Sequence, residues 1–321
     1  MNNKNINEDI LSVVGNTPIV KLNRLFSNSS SNVFGKIEYF NPTGSIKDRM
    51  ALHIINDAEE RGELKKGGTI VENSSGNTGA AFAMIAAIKG YKCIITMPDK
   101  MSTEKINLIK AYGAEVIITP TDVPYDSPNS YYSVAKRIAS EIPGAFYPDQ
   151  YNNLKNVEAY YCTTGPEIWE QVQGEIDYFV AGIGTGGTLS GTARFLKEKN
   201  YDIKIIAVDP EGSIFYDYFK TGEITKPSLY KVEGIGEDYL VKSVDFSIID
   251  DIIRVNDKES FEMSRKLAKK EGILAGGSSG SALAAVSKLV NSLDEKKNTV
   301  VMLPDSGSRY FSKFYNEKWM P

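Results

Sequence analysis

The chain has 321 residues, 41% hydrophobic and 24% charged, with 37 Lys plus Arg against 41 Asp plus Glu and a net charge of −4. That size supports one large or two medium globular domains, and the absence of a basic stripe argues against nucleic acid as the main partner. Cys93, Cys162 and a single histidine, His53, leave a disulfide framework, a metal cluster and a Ser/His/Asp triad all poorly supported.

Met1 to Asp9 is polar and Asn-rich, without the apolar core of a signal peptide. No run approaches the roughly 18 apolar residues of a membrane span, so no membrane partner is expected and the cytoplasm is the default compartment. Thr17 to Leu22 reads as a strand. Asn41-Pro42-Thr43-Gly44-Ser45-Ile46-Lys47 reads as a turn that opens a helix over Asp48 to Arg61. That helix carries Met50, Ile54, Ile55 and Ala58 on one face, with His53 at its side or surface. Thr69 to Glu72 is a strand, and Asn77 to Lys89 an Ala-rich helix closed by Gly90. A strand over Tyr91 to Met97 holds Cys93 as a small core residue. Ser102 to Tyr112 is a helix ended by Gly113, Glu115 to Thr119 a strand, and Ser130 to Glu141 a helix stopped before Pro143.

The alternation then repeats. The pattern predicts a helix over Val157 to Gln173, with Cys162 as a second small core residue, and a strand over Ile176 to Ala181. A helix over Gly187 to Lys199, a strand over Ile203 to Val208, helices over Glu259 to Glu271 and Ser281 to Leu293, and a strand over Thr299 to Leu303 follow. Thr121 to Pro128 and Gly212 to Gly236 are the longest irregular stretches, and long loops in compact domains are often functional. Repeated βα units imply parallel sheets covered by helices on both faces. Two such sets predict an α/β chain of two lobes, residues 1–150 and 151–321. The first forty or so residues could join either one.

Three loops in this pattern carry chemistry. Lys47 stands at a helix mouth, where the positive end of the helix favours a lowered pKa and hence a nucleophilic amine. Ser74-Ser75-Gly76-Asn77-Thr78-Gly79 lies between a strand and a helix and offers a cradle for a carboxylate. One turn needs only one cap, and this loop offers Ser74, Ser75, Asn77 and Thr78. Gly182-Ile183-Gly184-Thr185-Gly186-Gly187-Thr188 lets the backbone approach an anion closely. It is neither a Walker A loop nor a G-x-G-x-x-G match, since position 189 is Leu. Two further polar turns, Ala275 to Ser281 and Pro304 to Arg309, are weak signals alone. A nucleophilic lysine, a phosphate loop and a carboxylate loop together fit pyridoxal phosphate and an amino-acid substrate.

At this point the chain resembles the fold-type II pyridoxal-phosphate enzymes, in the branch of cystathionine β-synthase and cysteine synthase. The motifs Pro42-Thr43-Gly44-Ser45-Ile46-Lys47-Asp48-Arg49, Ser75-Gly76-Asn77-Thr78-Gly79 and Gly184-Thr185-Gly186-Gly187-Thr188 carry the resemblance, which runs from Val14 to Met320. It implies two open, mostly parallel sheets flanked by helices, as in the tryptophan synthase β subunit. It implies that Lys47 forms the Schiff base and shuttles the α-proton, and that Asn77 bonds the cofactor's ring oxygen. Gly184, Thr185, Gly186, Gly187 and Thr188 would hold its phosphate, and Ser278 would meet its ring nitrogen. Ser74, Ser75, Asn77, Thr78 and Gln150 would bind the substrate carboxylate, with Ser74 standing where the family often has Thr. A hydroxyl at the ring nitrogen makes the ring a weaker electron sink and favours β-replacement through an aminoacrylate.

Asp126-Ser127-Pro128, Asp149-Gln150-Tyr151, Asp209-Pro210-Glu211-Gly212-Ser213 and Glu233-Gly234-Ile235-Gly236 lean toward the cystathionine β-synthase side. So does the ending with Ser312-Lys313-Phe314 and Trp319-Met320. By similarity Tyr151 and the loop from Glu233 and Gly234 to Gly236 would face the substrate and the acceptor thiol. Glu237 replaces an aromatic residue of animal enzymes, which leaves the acceptor open. Serine with homocysteine is the leading pair. O-acetylserine with sulfide, an amine acceptor, and release of sulfide from cysteine stay as alternatives, and an inactive cofactor-binding regulator is the non-enzyme alternative. The resemblance also implies a homodimer and a domain that closes on substrate. Haem, adenosylmethionine activation and a local dithiol switch are not expected.

Overall fold

The computed structural model describes residues 6–320; Met1–Asn5, where the polar N-terminal stretch begins, and Pro321 lie outside it. The strands are β1 (Ile19–Lys21), β2 (Asn32–Ile37), β3 (Thr69–Asn73), β4 (Lys92–Pro98), β5 (Glu115–Thr119), β6 (Tyr178–Gly182), β7 (Lys204–Pro210), β8 (Asp251–Val255) and β9 (Asn298–Leu303). The helices are α1 (Lys47–Glu60), α2 (Asn77–Lys89), α3 (Thr103–Ala111), α4 (Tyr131–Glu141), α5 (Lys155–Cys162), α6 (Thr164–Gln171), α7 (Gly187–Lys199), α8 (Phe215–Thr221), α9 (Asp257–Glu271) and α10 (Gly277–Val290).

The strands form two sheets. One has six strands in the order β1-β2-β9-β6-β7-β8, and the other has three in the order β3-β4-β5. Every pairing is parallel except β1 with β2. The fold is thus an α/β architecture of two open, mostly parallel sheets flanked by helices. Residues 69–119 supply the small sheet, while β1 and β2 join β6 to β9 in the large one. One apolar cluster runs from Met50, Ile54 and Ile55 of α1 through Ile70 and Ile95 to Phe179 and Val300, so both sheets share a core.

Local chemistry explains most boundaries. Ser102 and Ser130 cap α3 and α4 by accepting from the N–H of Lys105 and Ser133. Asn256 and Glu259 form a reciprocal capping box on α9, which closes on Gly272 at φ 71°. The small sheet's βα alternation was the plainest part of the sequence, and α2 and β5 fall where the pattern put them.

Several expectations need correction. The helix expected over Val157 to Gln173 is two helices, broken at Thr163. Pro166 has no N–H for the Cys162 carbonyl one turn back, and the Thr163 hydroxyl bonds the Ala159 carbonyl at 2.6 Å instead. The same break leaves Cys162 exposed rather than in the core, whereas Cys93 is buried. The final long helix starts at Gly277, not at Ser281. The stretch from Gly212 to Gly236 is not wholly irregular, since it contains α8. Strands β2 and β8 went unread. β8 is five residues with charges at Asp251 and Arg254, and β2 is interrupted by Gly35 and by Lys36, which is 0% exposed and donates to the Thr17 carbonyl, Glu167 and Gln171 at 2.7–3.0 Å.

Candidate active site

The site lies where the C-terminal ends of β3, β4, β6 and β9 meet, the usual place for ligands in open α/β sheets. A cavity of about 410 Å³ is bordered there by Lys47, Ser75, Asn77, Thr78, Gln150 and Ser278. Tyr131, Tyr132, Tyr151, Glu233, Gly234 and Glu237 border the same cavity. A smaller adjoining space of about 30 Å³ is lined by Gly184, Thr185, Gly186 and Thr188, and Lys47 faces both.

Lys47 is the first residue of α1. Gly44, at φ 80°, allows the turn before it, and the Ile46 N–H donates to the Pro304 carbonyl at 2.8 Å. Asp48 accepts from the Thr43 N–H at 2.7 Å and from its hydroxyl, which closes the turn. Arg49 is buried and forks onto Glu38 at 2.7 and 2.9 Å and onto Glu167 at 2.5 and 2.7 Å. The motif around Lys47 is therefore built into the core on both sides. Burial pushes the Lys47 amine down to about 8, against the upward pull of Asp305 and Glu237. Burial on this scale was not visible in the sequence, where only the helix-mouth position could be read.

In the loop after β3, the Ser74 hydroxyl accepts from the N–H groups of Gly76 and Gly79 at 3.0 and 2.9 Å. Ser74 does not border the cavity; its hydroxyl shapes the loop. Ser75, Asn77 and Thr78 do border it. Thr78 donates to Gln150 Oε1 at 2.7 Å, and Gln150 Nε2 donates to the Asn73 carbonyl at 3.0 Å, so two expected carboxylate ligands hold each other.

The loop after β6 ends at Gly186, which precedes α7 at φ 86°, and no side chain caps the first turn. Uncapped N–H groups at a helix start are the donors an anion needs. Gly187 borders neither space, because the Asn156 amide fills the position of a Cβ there, 2.0 Å away. Asn156 also donates to the Thr185 hydroxyl at 3.1 Å.

Glu237 sits among tyrosines. Tyr132 donates to it at 3.5 Å, and Tyr131 and Tyr151 share a hydrogen bond at 3.2 Å. Burial, then the neighbouring Asp238, push its carboxyl up to about 8. Glu233 is different. Lys105 from α3 and Lys313 from the C-terminal segment both pair with it. Burial alone would raise its carboxyl, but the two lysines hold it below the usual range.

Sequence reasoning missed Asp305, Arg309, Lys105 and the tyrosine doublet Tyr131-Tyr132. Asp305 and Arg309 stood in a polar turn that was noted without a role. A contact 228 residues long in sequence, such as Asn77 to Asp305, leaves no local signal.

The residues present fit pyridoxal phosphate. An amine of lowered pKa, an uncapped helix start beside a phosphate-sized space, and a hydroxyl at Ser278 all open on one cavity. The fold and site together are those of the fold-type II enzymes that use this cofactor. The family model "Pyridoxal-phosphate dependent enzyme" matches residues 10–305, and the chain belongs to that family. It is 48% identical to cystathionine β-synthase of Rattus norvegicus over 97% of this chain and 56% of that one. The chain thus spans little more than half the length of that relative. It is 43% identical to a cysteine synthase of Staphylococcus aureus over 95% of this chain and 96% of that one. Among solved structures, a hydrogen sulfide-producing enzyme from Fusobacterium nucleatum aligns with a TM-score of 0.88 at 37% identity, covering 95% of this chain and all of that one. Among the described residues no group of His, Cys, Asp or Glu could hold a metal, and no helix is long and apolar enough to cross a membrane.

Proposed function

We propose that the protein catalyses β-replacement on serine or an activated serine, with homocysteine as the acceptor thiol. Pyridoxal phosphate, when bound, supplies the electron sink that makes the α-proton removable. Lys47 takes that proton on Nζ, and an amine near 8 has the right affinity for it close to neutral pH. Ser75, Asn77, Thr78 and Gln150 hold the substrate carboxylate. Gly184, Thr185, Gly186 and Thr188 hold the cofactor's phosphate, Asn77 its ring oxygen and Ser278 its ring nitrogen. Tyr151, Glu233, Gly234 and Glu237 line the path of the acceptor.

The observation that carries this reading is the lining of the cavity. Besides Lys47 and the two loops, tyrosines and carboxylates border a space of about 410 Å³, with room for a second amino acid. Sulfide would not need that space, and the tyrosine rings around Glu237 suit the ammonium group of an amino-acid thiol. The likeness to a cysteine synthase and to a hydrogen sulfide-producing enzyme supports the wider class equally well. Sulfide with O-acetylserine, an amine acceptor, and sulfide release from cysteine are the competing activities.

A product assay separates them. Serine, O-acetylserine, O-phosphoserine and cysteine are each paired with homocysteine, sulfide and an amine. Cystathionine is the expected main product. Cysteine as the main product from O-acetylserine and sulfide would overturn the acceptor assignment, and no turnover with any pair would favour an inactive cofactor-binding protein.

A further inference from the structure

The polar turn after β9, residues 304–310, has no part in the function proposed above, yet its side chains reach back into the site. Asp305 is 1% exposed; its Oδ2 accepts from Asn77 Nδ2 at 2.8 Å and from the Tyr310 hydroxyl at 2.7 Å. Arg309 is 7% exposed and donates through Nη1 to Asn77 Oδ1 and through Nη2 to the Thr43 carbonyl. The same turn takes the Ile46 N–H at 2.8 Å and gives the Ser306 N–H to the Gly44 carbonyl at 3.2 Å.

The Asn77 amide is thus held between two groups of opposite chemistry. A guanidinium can only donate, so the amide oxygen must face Arg309. A carboxylate that already takes a tyrosine hydroxyl accepts, so the amide nitrogen must face Asp305. Turning the amide over would set N–H against N–H and oxygen against oxygen. The two ends of an asparagine amide are usually interchangeable in position; here only one arrangement is satisfied. Asp305 uses one N–H of the nitrogen. The second remains, on a side chain that borders the cavity beside Lys47.

We infer that Asp305 and Arg309 are positioning residues that lock Asn77 as a hydrogen-bond donor to the ionised ring oxygen of the bound cofactor. The inference rests on the role given to Asn77 under the proposed function. A fixed donor favours the ionised oxygen over its protonated form. A freely turning amide would offer its oxygen as readily and favour the protonated form. Because the turn also fixes Ile46, one short segment sets both the donor and the lysine.

The test reads the absorption spectrum and the cofactor affinity of the loaded protein, not its turnover. The variants are Asn77→Ala, Asp305→Asn and the two combined. Asparagine at position 305 can donate or accept, so it no longer dictates which end of the Asn77 amide faces it and leaves Arg309 as the only restraint on the flip. Asn77→Ala and Asp305→Asn should each move absorbance from the long-wavelength band to the near-ultraviolet band. Each should weaken cofactor binding about tenfold, the loss expected for one such hydrogen bond. The combined variant should match Asn77→Ala alone. A wild-type spectrum in Asn77→Ala removes the role of Asn77, and the lock with it. A shifted spectrum in Asn77→Ala with an unshifted one in Asp305→Asn, or additive shifts in the combined variant, overturns the lock and leaves the role of Asn77 standing. Where circular dichroism shows Asp305→Asn unfolded, Arg309→Gln takes its place with the same outcomes.

Discussion

Lys47 and Glu237 both border the cavity and act on each other electrostatically, and burial moves them in opposite directions. Burial takes the lysine from 10.5 to about 8 and the glutamate from 4.5 to about 8. Lys47→Ala should cost at least about 10²–10⁴ in kcat/KM, the range for removing a positioned acid–base group. A steady-state assay showing near-normal turnover would remove Lys47 from the chemistry. The raised Glu237 carboxyl couples folding to pH. The folded protein keeps a proton that the unfolded chain loses near 4.5. The stability this group contributes is therefore full below 4.5 and falls as pH rises to about 8. Glu237→Gln has no such slope, so its advantage in denaturant midpoint over the parent should grow across that window and level above it. A constant difference would show that the Glu237 carboxyl titrates normally. Lys47 itself could be read in the sequence, because its neighbours Gly44, Ser45 and Asp48 form a local motif. The buried state of Lys36 and the pairing of Asn77 with Asp305 could not, since both depend on segments far along the chain.

Among the elements, α7 shows how much a loop depends on the helix that follows it. Its first turn is the uncapped end that faces the small cavity, and its second turn lies hard against α5. A Cβ on Gly191 would stand 2.1 Å from the Val157 carbonyl and 2.9 Å from the Tyr161 nitrogen, both backbone atoms. Gly191→Ala should therefore cost about 1–3 kcal/mol, read from the denaturant midpoint, and should weaken cofactor binding as the first turn shifts. An unchanged midpoint would mean that the two helices have slack. Both ends of α7 were plain in the sequence, since Gly186-Gly187 opens it and the apolar period carries it. The break between α5 and α6 was hidden because the apolar pattern continues through it. Only Pro166 marked it, and a proline in a first helical turn is tolerated.

At the scale of the whole molecule, Glu233 joins three separate parts. Lys105 comes from α3 beside the small sheet, Lys313 from the C-terminal segment, and Glu233 from the loop that walls the cavity. Lys105 also lies over the Tyr310 ring at 5.0 Å. Two cations sharing one buried carboxylate is a strong tie, and removing its centre leaves both lysines uncompensated. Glu233→Gln should speed hydrogen exchange in residues 228–238 and in α3, and should raise KM several-fold more than it lowers kcat. Unchanged exchange in both segments would mean that other contacts hold that wall. The two-sheet plan was legible from βα alternation. The sharing of the large sheet between the first forty residues and the second half was not, because strand order leaves no periodic trace.

That strand order has a consequence for how the protein comes into being. β9 lies between β2 and β6, so residues 298–303 form an inner strand of the large sheet. The three strands of the small sheet lie within residues 69–119, and the Phe146 bridge at its edge completes it before residue 150. The large sheet cannot close until β9, some 260 residues after β2 in the chain, meets it. The Pro304 carbonyl that anchors Ile46 arrives with it. A nascent chain therefore carries its reactive lysine for some 250 residues of synthesis, from Lys47 to β9, without the site that would make it reactive, and this inner strand is the event that arms it.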